Sequence, residues 1–169
     1  MAKLDNINLS DINEDDMSQV YSFNDLKRDI ISTPIDFLML HEIQIKIGEL
    51  GEAFVYEFER NYLEGTKYFH KVDETKAANP KNGYDILSFT RQGKPLHIEV
   101  KATAGKEETF FISSHELEIA KSMKKKGLIY VVYFVKEILT DKPKLTKIYN
   151  LETNCDYLLT EANWKVERR

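Results

Sequence analysis

The sequence predicts a mixed α/β domain, a central sheet flanked by helices, and three features carry that prediction. Thr33-Pro34-Ile35-Asp36 is a helix start, with a Thr cap, Pro at the first helical position and an acid at the third. Two apolar segments with strand alternation, Tyr84–Thr90 and Leu96–Thr103, flank the turn residues Arg91-Gln92-Gly93-Lys94. A capping box, Ser113-Ser114-His115-Glu116, opens a further helix just ahead of the strongly apolar Leu128–Ile138. The resulting order is helix, three strands, helix, strand and strand, which a mixed sheet accommodates.

The elements follow in order. The first 20 residues are polar, acidic and rich in Asn and Asp, and read as an arm. A short helix is expected through Asp25–Ser32, so residues 1–33 form an acidic arm with a short helix and 34–169 the main domain. The long helix runs from about Pro34 to about Tyr62, with Gly65 beyond its end. Gly48 and Gly51 lie on roughly one side of it, where close packing of another backbone or a break between two helices would explain them. Lys67–Val72 alternates loosely like a strand, and Asp73–Gly83 reads as a loop. Phe110–Ile112 suits a short strand, Ser114 to about Lys126 a helix ended by Gly127, and Leu128–Ile138 a strand buried on both faces. Asp141-Lys142-Pro143 is a turn before a last strand, Leu145–Tyr149.

Composition narrows the function classes. A chain of 169 residues suits one domain. Its longest apolar run, Leu128–Val135, is far short of the roughly 20 residues a spanning helix needs, so no membrane role is expected. The single cysteine, Cys155, excludes an internal disulfide and a cysteine zinc site, and the early acids Asp5, Asp11, Glu14, Asp15 and Asp16 do not suit a secretory or mitochondrial leader. A reducing, cytoplasmic setting is the expectation. The net charge of −4 lies wholly in residues 1–30, which hold seven acids and three bases, so the main domain is neutral and free to meet a polyanion.

The chemistry concentrates in one hairpin. A three-residue loop, Arg91-Gln92-Gly93, closes it with Thr90 opposite Lys94 and Gly93 in the left-handed position. That register sets Asp85 opposite Glu99 and Ile86 level with Ile98; a two-residue loop would put Asp85 opposite Val100, on the wrong face. Glu99 and Lys101 share a face with His97. Two carboxylates about 5 Å apart repel one another, which a divalent cation between them makes tolerable. With a lysine beside them, the set suits metal-assisted attack of water on a phosphodiester. An acid-x-Lys triplet means little alone: Asp25-Leu26-Lys27 and Glu74-Thr75-Lys76 also occur, and only Glu99-Val100-Lys101 lies in an apolar strand one hairpin after another acid. The plain alternative is a surface hairpin with ordinary ion pairs.

Tyr84-Asp85-Ile86 followed by Ile98-Glu99-Val100-Lys101 resembles the core of the PD-(D/E)xK nuclease superfamily, the restriction-endonuclease-like fold. The wider run, with Gly48–Glu52 (Gly-x-x-Gly-Glu), Gly83–Ile86, Ile98–Thr103, Phe110–Glu116 and Leu128–Val135, is similar to an Mrr-like branch often fused to helicase or restriction components. The likeness covers about residues 40–165 and departs from the superfamily's name in having Tyr84 where a proline stands. It implies a restriction-endonuclease-like core in the order α-β-β-β-α-β. It implies Asp85 and Glu99 as metal ligands, Lys101 as the catalytic lysine and a glutamate of the first helix as a further ligand. Glu52 is that glutamate, with Glu49 as its rival one turn earlier.

Other residues carry weaker signals. Glu116 reads first as a capping residue. His115, near a helix start, and Lys106, Lys121 and Lys124, with Arg91 and Lys94, are candidates for phosphate contact, although lysines closing a helix also answer its negative end. His97 shares the Glu99 face, and His41, His70 and His97 lack zinc spacing.

The expected function is an Mg²⁺-dependent endonuclease, with Mn²⁺ able to substitute, acting on DNA more than on RNA. The resemblance adds a role in restriction or phage defence. A double-strand cutter needs two sites, which suits a homodimer or a larger defence partner. The rivals are a catalytically silent nucleic-acid-binding or protein-docking module, and an accessory subunit that cuts only when a motor delivers substrate.

Overall fold

A computed structural model describes residues 23–32 and 40–160. The proposed arm over residues 1–22, the Thr33-Pro34 helix start and the tail around Trp164 lie outside the described residues. Helix α1 spans Phe23–Ser32 and α2 Leu40–Leu63; strands β1 (Ile86–Phe89) and β2 (Pro95–Ala102) follow, then α3 (Ser114–Lys125), β3 (Ile129–Lys136) and β4 (Lys144–Tyr149). The four strands form one mixed sheet in the order β1-β2-β3-β4, with β1 and β4 antiparallel to their neighbours and β2 parallel to β3. The α/β class is therefore as expected.

Strand alternation splits the core into two layers. Leu96, Ile98 and Val100 of β2, with Val131, Tyr133 and Val135 of β3, pack on Leu50, Val55 and Leu63 of α2. Tyr130, Val132 and Phe134 of β3, with Ile148 of β4, pack on Ile119 and Met123 of α3 and on Phe110 and Ile112. All six interior residues of β3, Tyr130–Val135, are buried, as a central strand covered on both faces requires. Two polar residues, Glu59 and Ser88, are fully buried inside the first layer. Glu59 accepts from Ser88 Oγ at 2.7 Å, Tyr133 OH at 2.7 Å and Lys147 Nζ at 3.1 Å. Among the described residues no helix is long and apolar enough to cross a membrane.

Two segments differ from the sequence expectation. Lys67–Val72 is not a strand: it is turn and a short 3-10 helix, Phe69–Lys71, and only Asp73 pairs, through an isolated bridge to Leu87. Its aromatics hold it instead, Tyr68 stacking on Phe89 with ring centroids 5.4 Å apart and Phe69 lying under the Arg60 guanidinium. Phe110–Ile112 makes no ladder either; its side chains bury in the second layer while Phe111 points outward, 76% exposed. The described residues thus hold two strands, not three, between α2 and α3.

The two interior glycines of α2 differ. The helix is continuous through both. A Cβ on Gly51 would stand 2.6 Å from Ala102 Cβ, so this position lets α2 approach the end of β2. A Cβ on Gly48 would meet nothing within 4 Å, so close packing does not explain that glycine.

Candidate active site

The hairpin closes in the odd register. Thr90 N–H donates to Lys94 O and Gly93 N–H to Thr90 O, each at 2.8 Å, and Gly93 has φ +89°. Ile86 pairs with Ile98 and Phe89 with Pro95. Asp85 comes next in the chain toward its N-terminal side. There the regular ladder stops, so β1 is shorter than the sequence suggests. Asp85 N–H donates to Ile98 O at 2.8 Å, its carbonyl accepts from Ala77 N–H at 3.1 Å, and its Oδ2 accepts from Val100 N–H at 2.7 Å. The Asp85 carboxylate occupies a place in the pairing that a backbone carbonyl would otherwise fill.

Glu99 and Lys101 alternate with the core residues Ile98 and Val100 and so face the α3 side. Lys101 Nζ lies 2.8 Å from Glu99 Oε1 and 3.0 Å from Glu116 Oε2. The expected capping box of α3 is present: Ser113 Oγ accepts from Glu116 N–H at 3.2 Å and Glu116 Oε2 from Ser113 N–H at 2.9 Å. Beside this cluster lies a cavity of about 230 Å³ lined by Asp85, Glu99, Ser113, His115 and Glu116, with Tyr84 among its walls. The Lys101 ion pairs do not fill it.

The electrostatics record a surplus of carboxylate. Burial, then Asp85, raise Glu99 to about 8 against the pull of Lys101. Burial raises Glu52 to about 7, with Asp85, Glu49 and Glu74 adding to it and Lys101 opposing. Asp85 is raised by burial, which outweighs its bond from Val100 N–H and the charge of Lys101. Burial disfavours the Lys101 ammonium, yet Glu99 and Glu116 more than compensate and hold it above its usual value. Glu116 is also buried, but Ser113 N–H and Lys101 keep it below the ordinary carboxylate range. The Tyr130 hydroxyl, raised by burial and by Glu99, donates to Gly83 O at 3.1 Å and ties β3 to the turn that delivers Asp85. The donors are hard oxygens, the class that Mg²⁺ takes, and Mg²⁺ makes do with one or two carboxylates and water. Among the described residues no three Asp, Glu, His or Cys groups are already gathered around one point.

The predicted residues divide. Asp85, Glu99 and Lys101 come together, and the charges of Asp85 and Lys101 both act on Glu52. Glu49, the rival, is exposed. His115 lines the cavity. Lys106, Lys121 and Lys124 do not line it, and each has a local partner: Glu137 Oε1 at 3.7 Å, Glu152 Oε1 at 3.1 Å and Thr153 Oγ1 at 3.2 Å. Arg91 donates to Tyr62 O at 2.6 Å, at the turn end of the hairpin. His97 does not line the cavity; its Nδ1 is 2.9 Å from Ile129 O and its ring meets Tyr84 edge-on. Glu116 was legible only as a cap, because local spacing cannot show that Lys101 reaches the same oxygen. The site role of Tyr130 had no sequence signal beyond its place in an apolar strand.

Residues 51–148, more than half of the chain, match the model of the family described as Protein NO VEIN, C-terminal. The matched span begins at Gly51 and takes in Glu52, the whole hairpin, α3 and β3. No curated protein and no solved structure gives a significant match.

Proposed function

We propose, from the premise that the chain belongs to the family described as Protein NO VEIN, C-terminal, that it is a metal-dependent nuclease of the PD-(D/E)xK type. The reaction is hydrolysis of phosphodiester bonds, in DNA before RNA, with restriction or defence against foreign DNA as its setting. One observation carries the reading: Asp85 and Glu99 line the same open cavity of about 230 Å³, and the Lys101 ammonium lies 2.8 Å from Glu99. Carboxylates whose ionisation is disfavoured by burial and by one another gain most from a cation.

In this reading Asp85 and Glu99 would hold Mg²⁺ or Mn²⁺, and Glu52 of α2, which responds to the Asp85 charge but does not line the cavity, would have to move in to join them. When bound, the ion supplies charge neutralisation at the phosphate and acidifies a water. Lys101 does the rest. An ammonium has three N–H donors, and Glu99 and Glu116 engage two, which leaves one for the attacking water or a phosphate oxygen. His115, at the cavity wall, contributes to the path of the substrate backbone. The lysines at 106, 121 and 124 lie beyond the cavity lining and serve at most as outlying phosphate contacts.

The test is incubation of the full chain with plasmid, linear and single-stranded DNA and with RNA, in Mg²⁺ and in Mn²⁺, beside Lys101→Ala. Cleavage that needs the metal and disappears in Lys101→Ala supports the nuclease. If neither metal raises the melting temperature and Asp85→Ala changes nothing, the domain is a silent binding or docking module.

A further inference from the structure

Glu116 uses one oxygen for two tasks. Its Oε2 accepts from the backbone of Ser113 at 2.9 Å and from Lys101 Nζ at 3.0 Å. The first bond belongs to a reciprocal cap, since Ser113 Oγ accepts from Glu116 N–H. The carboxylate is therefore fixed to the first turn of a twelve-residue helix, whose positive end favours it. Lys101 also touches Glu99, at 2.8 Å, but that carboxylate lines the cavity together with Asp85.

The two partners of the lysine are thus unlike. Glu116 is anchored by backbone, its Oε2 held by Ser113 N–H at 2.9 Å whatever Glu99 does. Glu99 is a carboxylate that a cation would claim. Once it is claimed, a long side chain with only Glu99 to hold it would regain its rotamers, at a cost in order. We infer that Glu116 is the positioning residue for Lys101, keeping its ammonium beside the Glu99 wall of the cavity when Glu99 turns to a cation. This rests on the nuclease reading above. It links the start of α3 to the reacting centre: the bond that begins the helix also aims the lysine.

The cap and the clamp can be separated. Glutamine serves at the third position of a capping box as glutamate does, so Glu116→Gln keeps the bond to Ser113 N–H and removes the charge facing Lys101. Ser113→Ala does the converse, weakening the cap and leaving the Glu116 carboxylate in place. The full chain and both variants are compared by thermal melting, by steady-state cleavage in Mn²⁺, and by acetylation of Lys101 with an amine-reactive ester, read by peptide mass spectrometry with and without Mn²⁺.

Glu116→Gln is expected to melt close to wild type, to lose about tenfold to a hundredfold in kcat with KM little changed, and to label faster at Lys101, most clearly with Mn²⁺ present. Ser113→Ala, which keeps the backbone N–H that Glu116 accepts, is expected to melt lower and to leave Lys101 labelling at the wild-type rate. Equal losses of rate in the two variants, in proportion to lost stability, overturn the inference, because a cap alone explains them. Unchanged Lys101 labelling in Glu116→Gln overturns it too. If wild type cuts no substrate in either metal, the nuclease reading fails, and the metal-free labelling rates still decide the clamp by themselves.

Discussion

Asp85 Oδ2 accepts the backbone N–H of Val100 at 2.7 Å, so a side chain of one strand satisfies the main chain of the next. This bond fixes where the carboxylate sits, and it separates the acceptor role of Asp85 from its charge. Asp85→Asn retains an oxygen that can take the Val100 N–H. It is expected to melt at or above the wild-type temperature without metal, since a raised carboxylate is removed, and to lack the rise in Mg²⁺ that the nuclease reading expects of wild type. Asp85→Ala leaves the N–H unpaired and should cost about 1–2 kcal/mol relative to Asp85→Asn. Melting curves with and without Mg²⁺ check both.

The metal-free protein should lose stability as pH rises. The folded values of Glu52, about 7, and Glu99, about 8, lie above the ordinary 4.5 that each has when unfolded. Between these limits the folded state binds more protons than the unfolded one, so the stabilisation present below pH 4.5 is lost progressively and is gone above pH 8. A melting temperature that fails to fall from pH 5 to pH 8.5 contradicts this. Glu99→Gln should flatten the upper part of the curve, and Mg²⁺ should reverse it, since binding the ion releases protons.

Gly51 and Gly48 should respond in opposite ways to alanine. Gly51→Ala sets its methyl against Ala102 and pushes α2 from β2, at a cost of about 1–3 kcal/mol. Gly48→Ala meets open space in a helix and should stabilise by about 0.5–1 kcal/mol. Urea unfolding of the two variants gives the comparison directly. A loss of cleavage beyond the loss of fold in Gly51→Ala is also expected, because Glu52 moves with the helix.

Glu59 should matter to stability and not to chemistry. Replacing it with Leu strands Ser88 Oγ, Tyr133 OH and Lys147 Nζ around a buried apolar group, a loss of about 3–5 kcal/mol. Cleavage per folded molecule, measured below the melting point, should stay near wild type.

Much of this arrangement was legible in local sequence. The odd register of the hairpin, with Ile86 paired to Ile98, follows from the parity of one loop and from the need to bury both. The α3 cap follows from four consecutive residues. What local sequence missed depends on contacts across the fold. Lys67–Val72 alternates, yet Tyr68 and Phe69 find better partners in Phe89 and Arg60 than a strand edge offers. Gly48 and Gly51 look alike until β2 is placed beside one of them. Glu59 reads as a surface acid until Ser88, Tyr133 and Lys147 converge on it from three strands. The lysines at 121 and 124 suggested a phosphate rim, but their helix turns them toward Glu152 and Thr153.

The early end of β1 has a further consequence. α2 covers one face of the sheet and α3 the other, yet the charge of Asp85 is felt by both Glu52 and Glu99. The regular ladder begins only at Ile86, and one residue earlier the Asp85 side chain, not its main chain, meets Val100 N–H. A regular rung at that position would hand Val100 N–H to a backbone carbonyl and free the Asp85 carboxylate to leave, so a change of pairing alone would alter the charge that Glu52 and Glu99 share without replacing a single acidic residue.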